Sequence, residues 1–198
     1  MTHLASSDVP SDPSNQKQMS KFQDLYDSFS TNPERSILNS SGVINFPSHA
    51  YDWVRCGIGL YGFSNKLSTP LKPVHKLLST ISQIIEVSKG ESVGYNRAYV
   101  ANEKTRVGVI PLGHADCISR SFNKGGYLII NGKKCKIVGN VCMDVIMVNL
   151  NETVAKEGDQ VVVFDDKNTA EDFADSVGTI SYEVLTNLSS RIERKIIS

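Results

Sequence analysis

The residues in this chain best suited to chemistry are a tyrosine beside an arginine and two small-residue turns. Tyr95 lies in Val93-Gly94-Tyr95-Asn96-Arg97, where a cation two positions on would help a phenol of ordinary pKa ~10 act as a proton carrier nearer neutrality. A structural tyrosine would read the same. Ser40-Ser41-Gly42 and Gly57-Ile58-Gly59 stand at the presumed ends of short strands, where exposed backbone N–H groups can hold a phosphate. Ordinary turns share that composition.

Other chemistries are poorly served. Cys56, Cys117, Cys135 and Cys142 include no C-x-x-C pair, and His3, His49, His75 and His114 show no i, i+4 ligand spacing, so no metal site is expected and the cysteines read as buried free thiols. Lys plus Arg (21) equals Asp plus Glu (21), which removes the field that would steer a nucleic acid or an anionic membrane. No apolar run approaches the roughly 20 residues of a membrane span, and the polar start Met1-Thr2-His3-Leu4-Ala5-Ser6 has no signal-peptide core, so a cytoplasmic protein is expected.

Several elements must position these residues. Met19, Phe22, Leu25, Tyr26 and Phe29 recur at helical spacing after a Pro/Ser/Asp-rich opening, predicting an amphipathic helix whose stripe is core. The apolar runs Ser36–Gly42 and Trp53–Gly62 read as short buried strands with turns, and their alternation with helix points to α/β architecture. From Leu77 the period changes to two, giving one strand through Val87. Further strands are predicted at 106–110, 145–150 and 160–164, and Asn131-Gly132 between apolar runs predicts a hairpin. Thr169 reads as the N-cap of a helix ending at Gly178, and Tyr182–Leu188 as another helix. The stretch Thr69-Pro70-Leu71-Lys72-Pro73 is the best domain boundary.

In order and spacing, Trp53-Val54-Arg55-Cys56-Gly57-Ile58-Gly59-Leu60-Tyr61-Gly62, Gly94-Tyr95-Asn96-Arg97, Val109-Ile110-Pro111-Leu112-Gly113-His114-Ala115-Asp116 and Ile137-Val138-Gly139-Asn140-Val141-Cys142-Met143-Asp144 closely resemble the alanine racemases. The resemblance continues through Thr179–Thr186 and covers nearly the whole chain. It implies an α/β remnant of a TIM-type barrel that binds pyridoxal 5′-phosphate (PLP) over residues 1–72. A mostly-β C-terminal domain with short helices would follow over 73–198. The implied activity is a cytoplasmic isomerase interconverting L- and D-alanine, a peptidoglycan precursor. It would use a PLP adduct and two bases, a tyrosine and a lysine, in a homodimer whose active sites are shared between subunits.

Residue by residue, the resemblance makes His3 the histidine stacked on the cofactor ring, and Asn39, Ser40, Gly57 and Ile58 parts of the phosphate-contacting turns. It makes Arg55 the partner of the pyridine nitrogen and Tyr95 the base that reaches the other subunit's cofactor. Met143 becomes the residue whose N–H holds the substrate carboxylate, and Asp144 part of the entrance wall. Three positions depart from the family: His114 and Ser190 stand where many members have tyrosine, and Cys117 stands where a glycine is usual.

The family's Schiff-base lysine belongs near the start of a barrel of about 250 residues, upstream of Thr2-His3. The chain therefore reads as a fragment, or the tail of a longer polypeptide, inactive by itself. The alternative is a non-catalytic PLP-binding or dimerisation module derived from the same family. A β domain binding oligonucleotides would need a basic groove, which the balanced charge does not offer.

Overall fold

The computed structural model describes residues 1–63 and 71–197; Thr69 and Pro70, in the boundary read from the sequence, lie outside the described residues. The chain forms two compact units, Met1–Val74 and His75–Ser198.

The first unit is built around helix α1 (Pro13–Asp27). Asp12 caps it by accepting from the Ser14 N–H at 2.8 Å, and Pro13 occupies a first turn where a missing N–H costs nothing. Its Asn15 is buried and donates to the carbonyls of Ser6 and Val9, both at 2.9 Å, pinning the N-terminal segment. Met19, with Phe22, packs on Leu4, Ile37 and Leu38. Among the described residues the apolar stripe is covered at this end, and Leu25 and Phe29 are exposed.

The two runs read as strands do not form a ladder. Segments 36–39 and 53–55 lie side by side through Trp53 N–H to Arg35 C=O (3.1 Å) and Arg55 N–H to Leu38 C=O (2.9 Å), but only Asn39 and Arg55 make a parallel bridge. The pairing stops there because Asn39 caps helix α2 (Ser40–Asn45) and turns the chain away.

The second unit is an antiparallel sheet of seven strands. These are β1 (Leu77–Thr80), β2 (Gln83–Val87), β5 (Thr105–Ile110), β6 (Tyr127–Ile130), β7 (Lys133–Val138), β8 (Ile146–Asn149) and β9 (Gln160–Phe164), in the order β1-β9-β6-β7-β8-β5-β2. A separate two-stranded ribbon pairs β3 (Ser92–Val93) with β4 (Tyr99–Val100). The stretch 77–87, read as one strand, is two. Ile81 bonds to Gly158 and Asp159, and Ser82 bonds to Val109, so two residues carry the chain from one edge of the sheet to the other. Consecutive strands at opposite edges require the sheet to curl into a half-barrel.

Inside the curl lie Leu128, Ile130, Val161, Val163, Ile110, Ile146 and Val148, all buried. Helix α3 (Ala170–Val177) closes one side by setting Phe173 against Phe122 (centroids 4.7 Å) and Phe164 (6.1 Å). The capping box is complete: Thr169 Oγ1 accepts from Asp172 N–H, and Asp172 accepts from Thr169 N–H. Helix α4 (Ser181–Thr186) follows. All four cysteines are free, but only Cys135 is fully buried. No described helix is long and apolar enough to cross a membrane.

Candidate functional site

The residues singled out by the sequence fall into two groups, one on each unit. On the first unit, His3, Asn39, Ser40, Arg55, Gly57 and Ile58 converge where the two extended segments end. Arg55 is half-buried. Its Nη1 donates to Ser36 Oγ at 2.5 Å, and its Nη2 donates to the Thr2 carbonyl at 2.8 Å and stands 3.1 Å from His3 Nδ1. The other ring nitrogen of His3 lies 3.1 Å from Asn39 Nδ2. Asn39 Oδ1 accepts from Gly42 N–H (2.9 Å) and from Ser7 Oγ (2.8 Å), so its amino group must face the imidazole. A neutral imidazole has one lone pair for these two donors, and only one of the two approaches is a hydrogen bond.

Ser40 Oγ accepts from the amides of Gly57 (3.0 Å) and Gly59 (3.1 Å). Both acceptor positions of the hydroxyl are thereby used, and its proton remains to donate. The Gly57 amide, singled out as a phosphate contact, points at Ser40. Ile58 opens a 3-10 turn, with its side chain buried. No carboxylate contacts this cluster among the described residues. Hydroxyl, amide and guanidinium donors without a competing acid form a set that fits an anionic ring cofactor such as PLP, whose phosphate and ring nitrogen both accept.

On the second unit, Tyr95 sits at the tip of the β3–β4 ribbon and is 73% exposed. The ribbon is held to the sheet by Val93, which packs with Val107, Val138 and Met147. Arg97 does not support the phenol as the sequence suggested. Its Nε donates to Ser92 Oγ at 3.2 Å, and among the described residues nothing joins it to the Tyr95 ring.

Met143 and Asp144 are both exposed, on a loop that stacks against residues 113–116. His114 and Ala115 donate their amides to the carbonyls of Cys142 (2.9 Å) and Met143 (3.0 Å). This approach requires Gly113, where a Cβ would come within 2.2 Å of the Met143 carbonyl oxygen.

Sequence reasoning missed an ionic clamp behind these loops. Arg191 bonds both carboxylate oxygens of Asp116 (2.6 and 2.9 Å) and one of Asp144 (2.7 Å), while Gly113 N–H donates to Asp116 at 2.9 Å. The Arg191 guanidinium, with help from that amide, holds the Asp116 carboxyl below the usual range. Next to it, burial pushes the Cys117 thiol up to about 12, and the Asp116 charge adds to the effect. Nothing in the spacing of residues 116, 144 and 191 signals that they meet.

The sequence profile of the alanine racemase C-terminal domain matches residues 74–196, and that of the N-terminal domain matches residues 1–65. The alanine racemase of Shewanella denitrificans is 35% identical over 198 positions, covering 97% of this chain and 54% of the relative. That of Helicobacter pylori strain G27 is 37% identical, covering 99% and 57%. Among solved structures, Bartonella henselae alanine racemase with covalently bound pyridoxal phosphate superposes with a TM-score of 0.93 at 32% identity, over 100% of this chain and 56% of that one. The biosynthetic alanine racemase of Pseudomonas aeruginosa gives 0.86 at 30% identity, over 98% and 55%. The chain spans about half the length of the curated relatives it matches.

Proposed function

Because the chain belongs to the alanine racemase family, we propose that it supplies one catalytic half of a PLP-dependent racemase interconverting L- and D-alanine. Residues 1–72 are the closing part of the cofactor-binding barrel and 73–198 the C-terminal β domain. The Schiff-base lysine comes from a barrel portion outside these residues, and without it the chain does not racemise alanine. The working unit is a homodimer in the cytoplasm, a compartment that suits four free thiols.

One observation carries this reading: the Tyr95 phenol stands out from a ribbon tip, where it can enter a neighbouring cleft, and is not packed away. Inverting a stereocentre by proton transfer needs a base on each face of Cα. Tyr95 serves one face, removing the Cα proton from one enantiomer and returning it when the other reacts. The opposite face belongs to the lysine. Met143, through its N–H, receives the substrate carboxylate, and Asp144 lines the approach.

On the first unit, Ser40 gathers the Gly57–Gly59 turn and would offer its hydroxyl as a hydrogen-bond donor to the cofactor phosphate, with Asn39 and Ile58 bordering the same place. His3 would hold the cofactor ring. Bound PLP would supply the electron sink for the charge left at Cα. Arg55 limits that sink, since a guanidinium only donates and leaves the ring nitrogen unprotonated. A weak sink favours immediate return of the proton, hence racemisation over transamination.

The test is exchange of the alanine Cα hydrogen with solvent deuterium in the racemase assembled from this chain and a lysine-bearing barrel half. Tyr95→Phe should suppress exchange from one enantiomer by about 100-fold or more, the usual worth of a positioned base, with PLP affinity nearly unchanged. Equal exchange from both enantiomers would exclude Tyr95 as the base.

A further inference from the structure

The turn that carries Tyr95 has an unfavourable backbone. Gly94 (φ 78°), Asn96 (φ 57°) and Arg97 (φ 51°) all have positive φ, a shape that asparagine adopts readily and arginine only at a cost. Such a turn keeps its form where bonds oppose its relaxation. Three come from the ribbon itself: Arg97 N–H to the Gly94 carbonyl (3.2 Å), Ala98 N–H to the Tyr95 carbonyl (3.3 Å) and Arg97 Nε to Ser92 Oγ (3.2 Å). A fourth comes from the segment that follows β7, where Asn140 Nδ2 donates to the Tyr95 carbonyl at 3.0 Å.

Asn140 is itself held. Its Oδ1 accepts from Asn123 Nδ2 at 2.9 Å, so both ends of the carboxamide are engaged and the group cannot swivel without losing a bond. It also stands three residues before Met143 on the same segment. Close backbone approach makes this possible: a Cβ on Gly139 would lie 3.1 Å from the Val93 carbonyl oxygen, and one on Gly94 would lie 3.2 Å from Met147 Cε.

We infer that Asn140 is a positioning residue for Tyr95. Its carboxamide, locked by Asn123, ties the tyrosine turn to the segment that presents Met143, so that the proton-transferring phenol and the substrate-contacting loop keep one geometry. Asn140 touches neither substrate nor cofactor and acts only through the Tyr95 backbone. The inference rests on the reading of Tyr95 as a base, for which small displacements of the reacting group cost much of the rate.

Two variants test it. Asn140→Ala removes the anchor, whereas Asn140→Asp keeps an acceptor for Asn123 but turns an oxygen towards the Tyr95 carbonyl. In the chain itself, amide exchange at Arg97 and Ala98 should quicken by about five-fold, the scale of one lost hydrogen bond, while the Tm falls by no more than the few degrees such a bond is worth. In the assembled racemase, kcat should fall about 10- to 100-fold with KM for alanine unchanged.

The enantiomers are equal in energy, so kcat/KM must fall equally in both directions. The specific sign is the isotope effect: Cα deuteration should slow turnover more in the variants than in the wild type for the enantiomer facing Tyr95, and not for the other. Unchanged turn exchange with unchanged kcat would overturn the inference, as would equal changes in both isotope effects together with a loss of Tm beyond those few degrees. Should Tyr95→Phe fail to produce this asymmetry, the base reading fails separately. Turn exchange in Asn140→Ala then decides the anchoring, quickened exchange upholding it and unchanged exchange overturning it.

Discussion

Arginine at position 55 can donate hydrogen bonds but not accept them, and that asymmetry would keep a ring nitrogen facing it unprotonated. Ser36 and the Thr2 carbonyl fix the guanidinium in place. Arg55→Glu should let the ring nitrogen hold a proton. The assembled enzyme would then show a new long-wavelength visible band during turnover and slow transamination; an unchanged spectrum would remove the electronic argument. Cys117 offers a cleaner energetic test, because its φ of 114° is one that L side chains rarely adopt. Replacing glycine by alanine at a compatible site usually stabilises by about 0.4–1 kcal/mol through the unfolded chain. At position 117 the order should reverse, with Cys117→Gly melting higher than Cys117→Ala by an amount equivalent to about 1 kcal/mol of left-handed strain. At this scale the sequence was legible in residue type but not in direction. Two positions of separation placed Arg97 near Tyr95, yet the left-handed turn sends its guanidinium to Ser92.

Elements whose signals are local were readable. Asn131-Gly132 supplies the two positive φ values (49° and 76°) of a type I′ turn, and β6 and β7 pair across it as expected. Thr169 and Gly178 bracket α3 because capping depends on neighbours in the chain. Elements whose fate depends on distant partners were not. The run 77–87 keeps strand alternation throughout, and only its bonds to residues 109, 158 and 159 break it in two. Leu25 and Phe29 follow helical spacing, yet nothing within the described residues covers them fully. The clamp of Arg191 on Asp116 and Asp144 belongs to this class, joining a tail to two loops. The Asp116 side chain is only 6% exposed, so Arg191→Met, which leaves that carboxylate without its cation, should lower the urea midpoint of the chain. Since the folded carboxyl titrates below its unfolded value of about 4, its contribution is complete above that pH and is lost as the pH falls through the folded value. The wild-type urea midpoint should therefore drop below pH ~4 more steeply than that of Arg191→Met. Parallel acid limbs would show that the pair contributes nothing to folding.

Across the whole molecule, the proposed cofactor contacts lie on one unit and the proposed proton carrier and substrate contacts on the other. Fold and family were legible because motif order survives at about one-third identity to the relatives. A meeting of the two groups was implied by the resemblance alone, since it would be a property of an assembly and spacing within one chain carries no sign of it. In the proposed homodimer Tyr95 enters the partner subunit's active site, and subunit mixing tests that most directly. An assembled racemase carrying Tyr95→Phe is mixed, after dissociation, with one whose Schiff-base lysine is alanine. If the tyrosine acts across the interface, half of the dimers hold one site with both bases, and activity should recover to about one quarter of wild type. No recovery from freely exchanging subunits would contradict a phenol working on the cofactor of the other chain.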